Sequence, residues 1–478
     1  MPRKSAYIIF SIILIFLISI LVFFFFLYKK NSTGQYDLKG SLSNSIRDFL
    51  PFGKTSPLQN ISEQTTPQIS TQTNEATTSQ AVVPTLRQIS TAPVAGAGIF
   101  NSTSSVIQDM VKKTIIDQTI RFVDRSTGHI FDTNKDSLSV TKISNTTLPK
   151  IYESYLSSNP NVAIFRSLDD SSDTIITETA YLSKVASSTV ATSTSTSTIS
   201  TSTTPTTFPT YTGTPYITKI SNLPSGLNEI ALAPSSQRLL YLFNIDDKGI
   251  FILSNIDGAK PVKLYSSPLE RWLLDWPNEK QAVITTKPSG IANGISFLIN
   301  TVTGALTKIA SGNGLTTLVS PDLSTSLVGT TVDGTTLKLD AINLSNKNSI
   351  NLSLRTLPEK CVWSHTEKSV VYCAVPRTVP LGTYPDSWYQ GLVSFTDDLW
   401  KINTSTGVST LSILFTKGYG KNFDAINLKL SSDDSYLIFT NKKDLILWGY
   451  NLKHQLGSII LPSVGTSTPK TSTSTTSF

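Results

Sequence analysis

The sequence predicts an all-β domain of repeated four-stranded sheets, joined by a flexible stalk to one N-terminal transmembrane helix. Three observations carry this. A strand–turn–strand unit recurs at a spacing of 43 to 44 residues. From Thr119 onward, short apolar runs alternate with turn residues and no helical period is present. Finally, an uncharged apolar run of spanning length occupies residues 6–28.

Residues 6–28 read AYIIFSIILIFLISILVFFFFLY. At about 1.5 Å per residue they make a helix of roughly 34 Å, enough to cross the hydrocarbon core. A cleaved export signal has an apolar stretch of about 7–15 residues and a small-residue cleavage site. Here the run is longer and ends in four phenylalanines, then Leu27, Tyr28, Lys29 and Lys30, so an uncleaved anchor is expected. Arg3 and Lys4 precede the run, so both flanks are basic and charge alone does not orient it. Residues 1–5 are expected to form no folded body on their side of the membrane. The expected topology is single-pass, with a short cytoplasmic N-terminus and the bulk of the chain on the other side of the membrane.

Residues 29–118 are dominated by Ser, Thr, Gln, Asn and Pro, as in TSPLQNISEQTTPQISTQTNEATTSQ. So little apolar surface cannot offset the entropy of ordering, and the segment reads as a stalk. A second tract, 186–214, begins ASSTVATSTSTSTISTSTTPTT and reads as a low-complexity insertion in one loop. Residues 463–478 repeat that style as a disordered tail.

Between these tracts, residues 119–462 hold the repeat. Its best copies begin at Glu229, Trp272, Thr316, Lys360 and Ile426, with a weaker one at Ile151. Anchored on the turn, Pro234, Pro277, Pro321 and His365 are 43, 44 and 44 residues apart. The gaps to Ser158 and Ser432 are longer, because the Ser/Thr tract and a Pro/aromatic stretch lie within them. Two further strands follow several copies, divided by turns such as INTVTG and INTSTG. Four strands in about 40–45 residues make one blade of a β-propeller. Such a blade cannot bury both faces alone, so a ring of blades supplies the core. Six anchors give six blades. Strands within 119–144, closed by C-terminal strands such as LGSIILP, bring the favoured count to seven.

With Ser320-Pro321-Asp322 between two strands, the chain resembles TolB-like and WD-type β-propellers. Ala233-Pro234-Ser235 and Ser431-Ser432-Asp433 are degenerate versions of the same turn. The resemblance implies the fold and an association with cell-envelope complexes, without naming a partner.

Candidate chemistry is sparse. The formal charge is +7, from 40 basic and 33 acidic residues, and four of the basic ones flank the apolar run. No clustered basic face remains for a nucleic acid. His129, His365 and His454 stand apart and outside any zinc motif, and no nucleophile elbow or phosphate loop occurs. No cofactor is therefore expected. The acidic groups at Asp169-Asp170-Asp173, Asp246-Asp247, Asp397-Asp398 and Asp433-Asp434 read as solvated loop acids, with calcium as the functional alternative.

One segment, PRTVPLGTYPDSWYQGLVSFTDD, breaks the repeat and carries Tyr384, Trp388 and Tyr389. These aromatics are either binding anchors on a long loop or a cover folded back over a blade end. The two cysteines, Cys361 and Cys373, fall on opposite arms of a hairpin. Counting from the turn places Cys361 against Tyr372, and a one-residue change in the turn would make a Cys361–Cys373 disulfide. The function expected is a non-enzymatic binding or scaffold module of the cell envelope with a protein or polysaccharide partner. A hydrolase or lyase with its site on the propeller's central face is the alternative.

Overall fold

The computed structural model describes residues 83–108, 111–156, 159–169, 174–184, 216–416 and 420–453. Among the described residues, twenty-eight strands form seven four-stranded antiparallel sheets. After β1 (Leu86–Gln88), the first blade holds β2 (Val94–Gln108), β3 (Val111–Asp124), β4 (Ile130–Asn134) and β5 (Val140–Lys142). The second has β6 (Ile151–Leu156), β7 (Val162–Leu168), β8 (Ile175–Lys184) and β9 (Tyr216–Asn222). In the third are β10 (Glu229–Leu232), β11 (Arg238–Ile245), β12 (Lys248–Asn255) and β13 (Val262–Ser267). The fourth takes β14 (Trp272–Asn278), β15 (Gln281–Thr286), β16 (Asn293–Asn300) and β17 (Leu306–Asn313). Next come β18 (Thr316–Val319), β19 (Thr325–Val332), β20 (Thr336–Asn343) and β21 (Ser349–Asn351). The sixth blade holds β22 (Cys361–Trp363), β23 (Val370–Pro376), β24 (Asp397–Asn403) and β25 (Ser409–Ile413). The seventh combines β26 (Ala425–Leu430), β27 (Tyr436–Asn441) and β28 (Leu447–Asn451) with β1, in the order β1-β28-β27-β26.

The chain is a seven-bladed β-propeller. First strands of successive blades lie side by side, β2 with β6, β10 with β14 and β22 with β26, and β26 meets β2 to close the ring. Links from second to third strands and from blade to blade gather on one face, here the upper. Those from first to second and third to fourth strands gather on the lower.

The second strands explain the core. Leu239, Leu240, Tyr241 and Leu242 run consecutively buried in β11, as do Leu437, Ile438 and Phe439 in β27, because both faces of a blade meet neighbouring blades. Phe415, Phe423, Phe439 and Trp448 pack with ring centroids 4.9–5.4 Å apart between the last two blades.

The recurrent turn has a local cause. Ser320 Oγ donates to Asp322 at 2.7 Å and accepts from the Thr325 amide at 3.1 Å, while Asp322 accepts from the Ser324 amide. Ser431 and Asp433 repeat the arrangement with Tyr436 and Ser435. Serine and aspartate therefore satisfy the amides that the turn leaves free, which is why the motif survives in short form.

Two sequence expectations need correction. The strands of 119–144 do not complete the last blade: β3, β4 and β5 pair with β2 in a blade of their own. Closure comes instead from β1, whose Leu86, Arg87 and Gln88 pair with Tyr450, Gly449 and Trp448. Both β1 and β2 lie within the stretch assigned to the stalk, so the folded part begins before residue 119. Their signal was lost because β1 has only three residues and β2 is rich in Ser, Gly and Ala. The apolar run 6–28, the tracts 186–214 and 463–478, and LGSIILP lie outside the described residues. Among the described residues, no helix is long and apolar enough to cross a membrane.

Candidate functional site

The break in the repeat builds the most elaborate part of the upper face. In β22 and β23, Cys361 stands directly opposite Cys373 with Cα atoms 4.0 Å apart, and their sulfurs are bonded. The turn from Ser364 to Val370 is one residue longer than the count from its predicted centre, which moves Cys361 from Tyr372 to Cys373.

Between β23 and β24 the chain makes a 20-residue excursion whose bonds lead inward. Its one-turn helix, Asp386–Tyr389, carries two of the three singled-out aromatics. Tyr384 and Trp388 are buried, packing with Leu337, Leu357 and Phe395, so they act as the cover and not as exposed anchors. The Tyr384 hydroxyl donates to the Pro380 carbonyl at 2.5 Å. Next to them Asp386 accepts from the Gly290 amide at 2.7 Å. A Cβ at Gly290 would sit 2.6 Å from the Tyr384 carbonyl, so only glycine lets the fourth blade's loop approach this closely.

Beneath Trp388 lies a buried ionic cluster. Lys360 Nζ contacts Asp424 Oδ1 at 2.6 Å, Asp397 Oδ2 at 2.9 Å and the Ala425 carbonyl at 2.9 Å. All three charged side chains are inaccessible to solvent. Asp424 Oδ2 also accepts from Trp388 Nε1 at 3.0 Å, the Phe395 amide at 2.9 Å and Ser394 Oγ at 3.1 Å. Burial pushes Asp397 up to about 6 against the pull of Lys360, whereas Lys360 and these donors outweigh burial and keep Asp424 low. Asp398 is buried too, held by Arg377 through bonds of 2.6 and 2.7 Å. Asp397-Asp398 is thus no solvated loop pair. Its sequence gave no warning, since the partner Lys360 lies 37 residues away in another strand's approach.

Tyr389 is half-buried, and its hydroxyl donates to Glu359, just ahead of β22. Burial and the charges of Glu359, Glu229 and Asp386 hold the phenol proton firmly. Burial pushes Glu229, the first residue of β10, up to about 7 despite Arg166. Arg166 in turn bonds Glu153 on β6 at 2.7 Å. Arg166 also donates to the Leu227 and Asn228 carbonyls, so this charged group spans the second and third blades. Among the described residues, no three His, Cys, Asp or Glu side chains converge on a metal position.

With its aromatics pinned below, the excursion holds Leu381 and Leu392 outward, 98% and 73% exposed. Ile291, beside Gly290 on the neighbouring loop, is 85% exposed. An open groove of about 590 Å³ runs alongside, lined by Thr335, Thr336, Arg355, Thr383 and Ser387.

No family model matches the chain, and no curated protein matches it in sequence. Solved structures similar to it include TolB from Acinetobacter baumannii, at 10% identity and a TM-score of 0.37, covering 60% of this chain and 59% of that one. Another is oligogalacturonate lyase from Vibrio parahaemolyticus, at 8% identity and TM-score 0.43, covering 75% and 98%. A third is the β-propeller domain of the trilobed protease from Pyrococcus furiosus, at 8% identity and TM-score 0.42, covering 76% and 98%. The likeness is one of fold alone. The chain spans about three-fifths of the A. baumannii TolB structure.

Proposed function

We propose that the chain is a membrane-tethered, extracytoplasmic propeller that binds a protein or polysaccharide of the cell envelope without transforming it. The observation carrying this reading is the upper-face platform. There Ile291, Leu381 and Leu392 project from loops locked by Gly290, Asp386 and the buried Trp388. Exposed apolar tips on a rigid base suit recognition, because little order is lost when a partner docks. The tether rests on the apolar run at residues 6–28 and on the polar tracts of the sequence.

Membrane crosslinking followed by capture on the tagged chain tests the reading. Wild-type protein is expected to retain a defined partner that Leu381→Asp loses while staying folded. Equal capture by both would overturn the platform as the binding face. Deleting residues 1–30 is expected to release a soluble protein under high salt without detergent, and its retention in the membrane pellet would sink the single anchor.

The enzymatic reading draws support from one feature, the proton-holding Glu229 at the start of β10, whose charge reaches Tyr389. Under it, Glu229→Gln would abolish turnover of an envelope polysaccharide and leave capture intact.

A further inference from the structure

The cluster under Trp388 has the parts of a self-acylating site. An ammonium lies 2.6 Å from one carboxylate and 2.9 Å from a second, with no water-accessible surface on any of the three. Aromatic walls surround it, with Lys360 Nζ 5.2 Å from the Trp388 ring centroid and 5.3 Å from that of Phe395. Held charges in such surroundings carry a heavy desolvation cost, which neutral products escape. We propose that Lys360 and Asp424 condense into an intramolecular amide, a covalent strut between the sixth and seventh blades.

The roles follow from the contacts. Asp424 is the electrophile: its Oδ2 already accepts from the Phe395 amide, Trp388 Nε1 and Ser394 Oγ at 2.9–3.1 Å. That donor set stabilises the negative charge growing on the oxygen when Cγ is attacked. Lys360 is the nucleophile, fixed within reach of that carbon by three hydrogen bonds. Asp397 is the proton carrier. Its Oδ2 faces Lys360, and its Oδ1 has no hydrogen-bond partner among the described residues. Burial raises its affinity for a proton, as a relay between nitrogen and oxygen requires.

The step balances without a co-reactant. Asp397 takes one proton from the ammonium and passes it to Asp424 Oδ1, leaving a neutral amine and a neutral acid. The nitrogen lone pair forms the N–Cγ bond, and the C=O π electrons move to Oδ2. Asp397 then takes a second proton from nitrogen and delivers it to Oδ1, whose bond to Cγ breaks as water departs. Ammonium and carboxylate become amide and water, and Asp397 returns to its starting form.

Mass spectrometry of the full chain decides the matter. After reduction of the disulfide, the intact protein is expected to be lighter than its sequence by the mass of one water. Protease digestion is expected to yield a branched peptide joining Lys360 to Asp424. Lys360→Arg and Asp397→Ala should each restore the full mass and eliminate that peptide. A folded wild-type chain of full mass, with Lys360 open to amine labelling once denatured, would overturn the proposal. This measurement stands even where a variant fails to fold. A branch at Asp397 in place of Asp424 would overturn the assignment of the electrophile, and full conversion in a folded Asp397→Ala variant would overturn the proton carrier.

Discussion

Arg87 shows how much can rest on one side chain at the closure. It is buried in β1, donates to Tyr436 Oη at 3.1 Å and to the Asn134 carbonyl at 2.6 Å, and also bonds the Ser137 carbonyl. It therefore ties the N-terminal strand to the seventh blade and to the first. Arg87→Ala would leave several acceptors unpaired and is expected to cost roughly 2–4 kcal/mol in urea unfolding. A second residue-scale prediction concerns pH. The native state holds the Glu229 proton between 4.5 and about 7, where the unfolded chain has released it. This group's contribution is present at low pH and fades as pH rises across that window. Glu229→Gln should flatten the fall in melting temperature between those values, by an amount bounded at roughly 3 kcal/mol. Identical slopes in the two proteins would count against the buried acid. Residues of this kind were the least legible in the sequence. The two cysteines announced themselves by their spacing, whereas Lys360, Asp397 and Asp424 meet only through the ring's packing and share no local pattern.

At the scale of elements, local chemistry was readable wherever one turn satisfied itself. Ser320-Pro321-Asp322 marked its hairpin because its bonds are internal, and the period of 43 to 44 residues followed from it. The hairpin of β22 and β23 was placed correctly, with its register one residue off, since turn length cannot be read from polarity alone. Its disulfide closes a short loop, with a sequence separation of 12. Replacing both cysteines by alanine is expected to lower stability by about 2–3 kcal/mol while the ring stays assembled, as near-ultraviolet circular dichroism would report. Less legible was the excursion before β24. Tyr384 and Trp388 carry the same composition whether they cover a blade or await a ligand, and only their depth in the structure separates the two.

For the whole molecule, the count of seven blades was accessible from the sequence, but the place where the ring closes was not. A three-residue strand beyond a Pro-containing polar tract offers no periodicity, yet it supplies the fourth strand of the last blade. A fragment beginning at residue 83 is therefore expected to fold like the full chain. One beginning at 119, the boundary suggested by composition, lacks β1, β2 and part of β3. It should expose apolar surface and bind a hydrophobic dye, and a cooperative, native-like melt for it would contradict the closure.

The direction of β1 has a mechanical consequence. Its N-terminal end opens on the lower face, and it runs antiparallel to β28 through Leu86, Arg87 and Gln88. A pull applied at residue 83 and directed away from that face acts along the strand, so the pairing is loaded in shear, with its hydrogen bonds sharing the force. The ring is gripped by the very strand that completes it. An optical trap pulling between residue 83 and Asp444, in the turn at the opposite end of β28, should record one abrupt rupture when β1 slides free, at a force that falls in Arg87→Ala.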